Sequence, residues 1–196
     1  MRRLRRADLP VDTVELARYL IGKTLIHDLP GAYASGRIVE TEAYLVGDAA
    51  AHSFRGETRR NRSLFLERGH AYVYFIYGSC FLFNVSSESP GVGAGVLVRA
   101  LEPLEGIPVM EKRRRTQRVL DLTRGPGRLA GALGIDGSHD GIDLCAGGAL
   151  FLGSAQRAVA TLGTSVRIGI TRDAHRLLRF YERGNRFVSG PRKLGV

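Results

Sequence analysis

Gly36-Arg37-Ile38-Val39-Glu40-Thr41-Glu42-Ala43-Tyr44 is the stretch on which the reading of this chain turns. β-branched and aromatic residues dominate it, and small or polar residues bound it, so it reads as a strand. In an extended backbone successive side chains point to opposite faces, which puts Glu40, Glu42 and Tyr44 on one side and Val39, Thr41 and Ala43 on the other. Two carboxylates and an aromatic ring therefore share a surface. On a solvent-facing sheet this would be an ordinary polar face, the commoner setting for glutamate on a strand. The chemical alternative draws on its surroundings: His52 follows in Ala49-Ala50-Ala51-His52-Ser53, and residues 55–62 add a loop carrying Arg55, Arg59, Arg60 and Arg62.

Two further segments extend the pattern. Tyr72-Val73-Tyr74-Phe75-Ile76-Tyr77-Gly78-Ser79-Cys80-Phe81-Leu82-Phe83-Asn84 is two apolar runs about a Gly-Ser turn, a hairpin with Tyr77 at its tip and with Tyr72 and Tyr74 sharing a face that suits the core. On a basic protein the Tyr77 ring can serve as a wedge between base steps, at a cost of a few kcal/mol of unstacking; equally, it can fold back on the sheet. In Gly95-Val96-Leu97-Val98-Arg99-Ala100-Leu101-Glu102 a charge interrupts an apolar strand. Burying it alone is expensive, so Arg99 must pair, with Glu40 or Glu42 as the natural partner, in a structural or a functional role.

Around these segments the chain reads as α+β. A helix starts at Asp12, with Glu15 completing a capping box and Gly22 as the stop. Strands are expected at 23–27, 36–44, 71–77, 81–86, 95–101, 150–152, 166–170, 179–181 and 187–189, and helices at 103–115 and 126–133. Regular βαβ alternation is lacking, which favours a mainly antiparallel sheet with flanking helices and a protruding hairpin. No repeat or linker divides the 196 residues, so one domain is expected over 1–196, with 1–10 as a basic N-terminal segment able to move.

Composition narrows the class. The chain has 44% hydrophobic and 24% charged residues, enough for a core and unlike a disordered tail. No run reaches the roughly 18 apolar residues of a membrane helix, and Met1-Arg2-Arg3-Leu4-Arg5-Arg6 does not lead into a signal core, so a cytoplasmic protein is expected. Cys80 and Cys145 are isolated, arguing against a disulfide framework or structural zinc. Lys and Arg number 29 against 19 Asp and Glu, for a formal +10, and arginine so dominates the bases that a phosphate-bearing partner is favoured over a merely arginine-rich surface. Gly22-Lys23-Thr24 fails as a phosphate loop because Ala17 stands where glycine is needed. Gly91-Val92-Gly93-Ala94-Gly95 fails as a dinucleotide fingerprint because Val96 replaces the third glycine.

Taken together, Arg37-Ile38-Val39-Glu40-Thr41-Glu42-Ala43-Tyr44, Ala51-His52-Ser53, Arg60-Asn61-Arg62, Tyr72-Val73-Tyr74, Ile76-Tyr77-Gly78, Asn84-Val85-Ser86 and Leu97-Val98-Arg99-Ala100-Leu101-Glu102-Pro103 resemble the alkyladenine (3-methyladenine) DNA glycosylase family. The resemblance runs over nearly the whole chain. It implies a monofunctional hydrolase that flips alkylated or deaminated purines (3-methyladenine, 7-methylguanine, hypoxanthine, ethenoadenine) out of double-stranded DNA and leaves an abasic site.

In that reading Glu42 is the general base and Arg99 helps to hold it and the water. Tyr44, His52 and Tyr74 line the base pocket, Asn84 obstructs the amino group of guanine, and Tyr77 is the wedge. Arg59, Arg60, Arg62 and Arg128 meet the DNA backbone, Arg128 standing where relatives often carry lysine. No metal or cofactor is implied, and the enzyme is expected to be a bacterial-style monomer without the long N-terminal extension of vertebrate members. The rivals are a non-catalytic basic nucleic-acid-binding protein and a metal-dependent nuclease using the paired carboxylates.

Overall fold

The central strand of the molecule, β2 (Ala34–Tyr44), is buried along nearly its whole length. In the computed structural model, which describes residues 2–76 and 78–190, one edge of β2 is taken by β5 (Gly95–Glu105). The other is divided between β1 (Thr24–His27), opposite residues 34–37, and β8 (Arg179–Glu182), opposite residues 40–42. With β3 (Ala71–Ile76), β4 (Cys80–Ser86) and β6 (Leu150–Gly153) the main path runs β3-β4-β5-β2-β1-β6, and β7 (Leu162–Ser165) pairs with β8. Every pairing is antiparallel. The α+β class and the antiparallel sheet expected from the sequence are what the chain adopts.

Where β1 gives way to β8, the β2–β5 ladder steps twice. The register passes from Ile38↔Leu101 to Glu40↔Ala100 and then to Thr41↔Val98, so Val39 on one strand and Arg99 on the other stand outside the regular pairing. Bulges of this kind re-aim side chains. Strict alternation put Val39 on a face with Thr41 and Ala43. Instead Val39 packs in a small cluster with Ala100, Tyr181, Phe187 and Val188, while Ala43 joins the main core and Thr41 donates to the Ala17 carbonyl of the first helix.

The helices are short. In α1 (Thr13–Leu20), Asp12 accepts hydrogen bonds from the amides of Val14 and Glu15 at 2.9 Å each, but Glu15 makes no return bond, so only half of the expected capping box forms. Leu16, Ala17 and Leu20 are its buried face. The helix expected at 103–115 begins later, as α2 (Ile107–Arg114), because β5 continues: Pro103 lies opposite Gly36 and Glu105 opposite Ser35. Gly106 makes the switch at φ +76°, where a Cβ would come within 2.0 Å of the Tyr33 carbonyl oxygen, so only glycine fits. A five-residue helix not foreseen, α3 (Val119–Thr123), precedes α4 (Pro126–Leu133), whose bounds match the sequence reading.

Two expected strands are absent. Residues 166–170 and 187–189 form no ladder, and β7 lies just ahead of the first of them. Their amides are engaged elsewhere: Ile168 N–H donates to Glu42 and Ser189 N–H to Glu40. Within the 1–10 segment Arg2 and Arg5 stay exposed, while other positions are anchored. Leu4 and Leu9 are buried, and Arg6 pairs with Asp143 at 2.5 Å. Tyr77 lies outside the described residues.

Candidate active site

Glu40 and Glu42, two residues apart on β2, both reach the guanidinium of Arg99 and both are fully buried. Arg99 Nε donates to Glu40 Oε1 at 3.0 Å, and Arg99 Nη1 lies 3.2 Å from Glu42 Oε1. The choice of partner for Arg99 left open by the sequence is thus settled as both. A second buried arginine, Arg179, donates through Nε to Glu40 Oε1 at 2.7 Å, and the Ser189 amide reaches Glu40 Oε2 at 2.6 Å. Among the described residues Glu42 also accepts from the Ile168 amide on Oε1 at 2.7 Å and the Tyr44 hydroxyl on Oε2 at 2.9 Å.

Burial is the main force raising the Glu42 pKa above the usual carboxylate value. The Arg99 charge, the Ile168 N–H and the Tyr44 O–H pull it down, and the neighbouring Glu40 pushes it up again. The result is a carboxylate of enhanced basicity held by fixed donors. Desolvation opposes the charge on Arg99, yet Glu42 and Glu40 together hold its pKa above the ordinary one. Tyr44 is a weaker acid than a free phenol, through desolvation and the adjacent Glu42.

Beside this pair lies a cavity of about 400 Å³, whose wall includes Tyr44, His52, Tyr72, Tyr74, Asn84 and Arg99. Its size falls in the usual range for small-molecule sites, about 300–1,000 Å³. Glu42 does not line it and sits behind Tyr44, Arg99 and Ile168, which do. The aromatic wall is continuous. Tyr72 and Tyr74 are stacked with centroids 5.2 Å apart, and His52 stands edge-on to Tyr74 at 4.5 Å, its Nδ1 2.9 Å from the Tyr72 hydroxyl. His52 and Tyr74 touch each other, so in this structure they form one surface and do not make the two sides of a slot. Desolvation, then Arg60, keeps the His52 imidazole below its ordinary pKa. Asn84, 7% exposed, donates to the Tyr72 carbonyl at 3.1 Å.

The sequence reading missed several parts of this arrangement. Tyr72, which the hairpin pattern assigns to the core, is buried as expected and also forms part of the cavity wall. Arg167 is paired with Asp48 and donates to the Ala43 carbonyl at 3.0 Å, fixing the segment that carries the Ile168 amide. Its guanidinium also lies 4.6 Å from the Tyr44 ring centroid. The signal that identified Arg99, a charge within an apolar run, was equally present in Val166-Arg167-Ile168.

The basic clusters separate by position. Arg55, Arg59, Arg60 and Arg62 are exposed, and Arg60 donates to the Phe75 carbonyl of β3 at 3.2 Å, close to the hairpin end. The start of α4 meets the other strand of the hairpin: a Cβ on Gly127 would lie 2.7 Å from Cys80 Sγ, and Pro126 lines the cavity. Arg128 is exposed there and bonded to Asp121 at 2.7 Å, whereas Arg124 turns inward to the Val188 carbonyl. Among the described residues no group of three His, Cys, Asp or Glu is placed to hold a metal ion, and no helix is long and apolar enough to cross a membrane.

A sequence model of the family described as methylpurine-DNA glycosylase matches residues 7–186. A protein of Mesorhizobium japonicum, provisionally named a 3-methyladenine DNA glycosylase, is 64% identical over 189 residues, covering 96% of this chain and 91% of the relative. Similarly named proteins of Paraburkholderia phytofirmans and Methanoculleus marisnigri are 54% and 46% identical, over 98% and 91% of this chain and 91% and 94% of their own lengths.

Proposed function

The chain belongs to the methylpurine-DNA glycosylase family, and from that premise we propose that it hydrolyses the N-glycosidic bond of damaged purines flipped from double-stranded DNA. The observation that carries the reading is a buried, unusually basic Glu42 held behind an aromatic cavity by Arg99 and the Ile168 amide.

A flipped purine enters the cavity against the His52, Tyr72 and Tyr74 surface, with Tyr44 also in the wall. Damaged, weakly paired bases cost least to extrude. A ring-alkylated purine is cationic, and electron-rich rings attract it by roughly 0.5–2 kcal/mol. Water attacks the anomeric carbon as its proton passes to Glu42. The glycosidic electron pair leaves with the base, which neutralises the cationic purine and leaves an abasic site. To reach Oε2 of Glu42, that water takes the position of the Tyr44 hydroxyl.

Neutral purines such as hypoxanthine and ethenoadenine must also gain a proton. The nearby groups supply it poorly: Tyr44 and Tyr72 are weak acids, and His52 favours its neutral form. Cationic 3-methyladenine and 7-methylguanine are therefore the faster substrates. Asn84, fixed to the Tyr72 carbonyl, crowds the exocyclic amino group of guanine. Arg59, Arg60, Arg62 and Arg128 contact phosphates about the hairpin, from which Tyr77 fills the vacated place in the stack. Enclosing one flipped base needs only one subunit, and the enzyme acts as a monomer, on the DNA of the cytoplasm.

The test is single-turnover excision of 7-methylguanine from a duplex, in EDTA, with abasic sites as the readout. Wild-type protein releases the base. Glu42→Gln retains lesion binding and loses excision, and retained excision in that variant removes the assignment. Glu42 must be ionised to act, so the wild-type rate falls as pH drops through its pKa. Because that pKa is raised, the fall is complete at a higher pH than an ordinary carboxylate would give.

A further inference from the structure

We propose that Glu40 is a positioning residue for excision, holding Arg99 by Nε so that Nη1 faces Glu42 and supplying the charge that balances a second buried arginine. The inference rests on Glu42 as the base and deepens that reading.

Glu40 is fully buried, does not line the cavity and receives three N–H donors: Arg99 Nε at 3.0 Å, Arg179 Nε at 2.7 Å and the Ser189 amide at 2.6 Å. A guanidinium is planar and rigid, so fixing Nε on one carboxylate sets the direction of its Nη atoms. Here that direction ends 3.2 Å from Glu42 Oε1, while Arg99 Nη2 is 3.5 Å from the Ser189 hydroxyl. The paired bulges at Val39 and Arg99, on either side of the Glu40–Ala100 pair, provide this placement.

The charges also close. Glu40 and Glu42 offer two negative charges, Arg99 and Arg179 two positive ones, and Arg179 is the register partner of Glu42 across β2 and β8. Without Glu40, the Arg99 charge would act on Glu42 with no second carboxylate to offset it and make Glu42 a weaker base. Its pKa depends on this balance, since Glu40 is among the groups that raise it, against Arg99, the Ile168 N–H and Tyr44. Arg167 bears on the site through the Tyr44 ring.

The experiment compares wild-type, Glu40→Gln, Glu40→Asp and Glu42→Gln proteins in single-turnover excision of 7-methylguanine across acid to neutral pH. Duplex binding and thermal unfolding are followed in parallel. Glu40→Gln should lower the plateau rate roughly tenfold to a hundredfold, as small misplacements at a reacting centre do, and shift the acid limb to lower pH without altering duplex affinity. Glu40→Asp keeps the charge but shortens the reach, so its plateau falls while its limb stays in place.

A folded Glu40→Gln protein with the wild-type plateau and limb overturns the proposal. Should that variant not fold, the aspartate variant decides: a lowered plateau supports the proposal and a wild-type plateau overturns it. Excision by Glu42→Gln would remove the underlying assignment, whereas an inert Glu42→Gln beside a wild-type Glu40→Gln removes only this inference.

Discussion

Arg37, Arg99, Arg167 and Arg179 are each no more than 7% exposed and each set against a carboxylate, whereas Arg59, Arg60, Arg62 and Arg128 stand exposed, with Arg60 and the turn that carries Arg128 beside the hairpin strands. One side-chain chemistry serves two purposes. In the interior, guanidinium groups are costly to desolvate and persist because carboxylates and carbonyls meet their donors, so they fix geometry. At the surface the same group gains little from an ion pair and remains available to a phosphate. The net charge of +10 mixes both populations, and only the second bears on a polyanionic partner.

Breaking an interior pair should have the largest effect. Arg167→Met leaves Asp48 buried without its cation, at a cost of about 3–5 kcal/mol, which lowers the thermal midpoint by about 10 °C. A scanning calorimetry trace matching wild type would erase the distinction. Next, Arg99→Gln removes a charged donor from the reacting centre and should slow single-turnover excision roughly a hundredfold to a thousandfold. Its salt dependence of duplex binding should not change; a lowered salt slope would place Arg99 with the exterior group.

The smallest effect belongs to the surface. The double variant Arg60→Ala, Arg128→Ala should leave the unfolding free energy within roughly 0.5 kcal/mol of wild type. It should reduce the slope of log K against log salt by about 0.9 for each phosphate that no longer meets an arginine. An unchanged slope in binding titrations would make these arginines spectators.

The sequence revealed the site through residues whose roles follow from local pattern. Period-two spacing placed Glu40, Glu42 and Tyr44 together, and the charge inside an apolar strand exposed Arg99. It failed where long-range hydrogen bonding overrode local pattern. Val166-Arg167-Ile168 and Phe187-Val188-Ser189 have strand-like composition, but the Ile168 and Ser189 amides serve the buried carboxylates. The face of Val39 escapes a period-two pattern because a bulge has no periodicity of its own. The beginning of α2 is not legible locally because Pro103 suits the first turn of a helix as readily as the end of a strand. The basic run between Arg172 and Lys193 contains Arg179, which belongs to the core; burial, set by the whole fold, made that distinction.

The doubled step between β2 and β5 limits how this architecture can vary. An extra residue in one strand alone would turn every later side chain to the opposite face, but here Val39 and Arg99 offset each other and both strands regain register by Thr41 and Val98. Deleting either one strands the carboxylates on the wrong side of the sheet, whereas deleting both restores a regular ladder that has lost its arginine. The two strands are thus a single heritable unit, and transplanting the site into another sheet requires carrying both together.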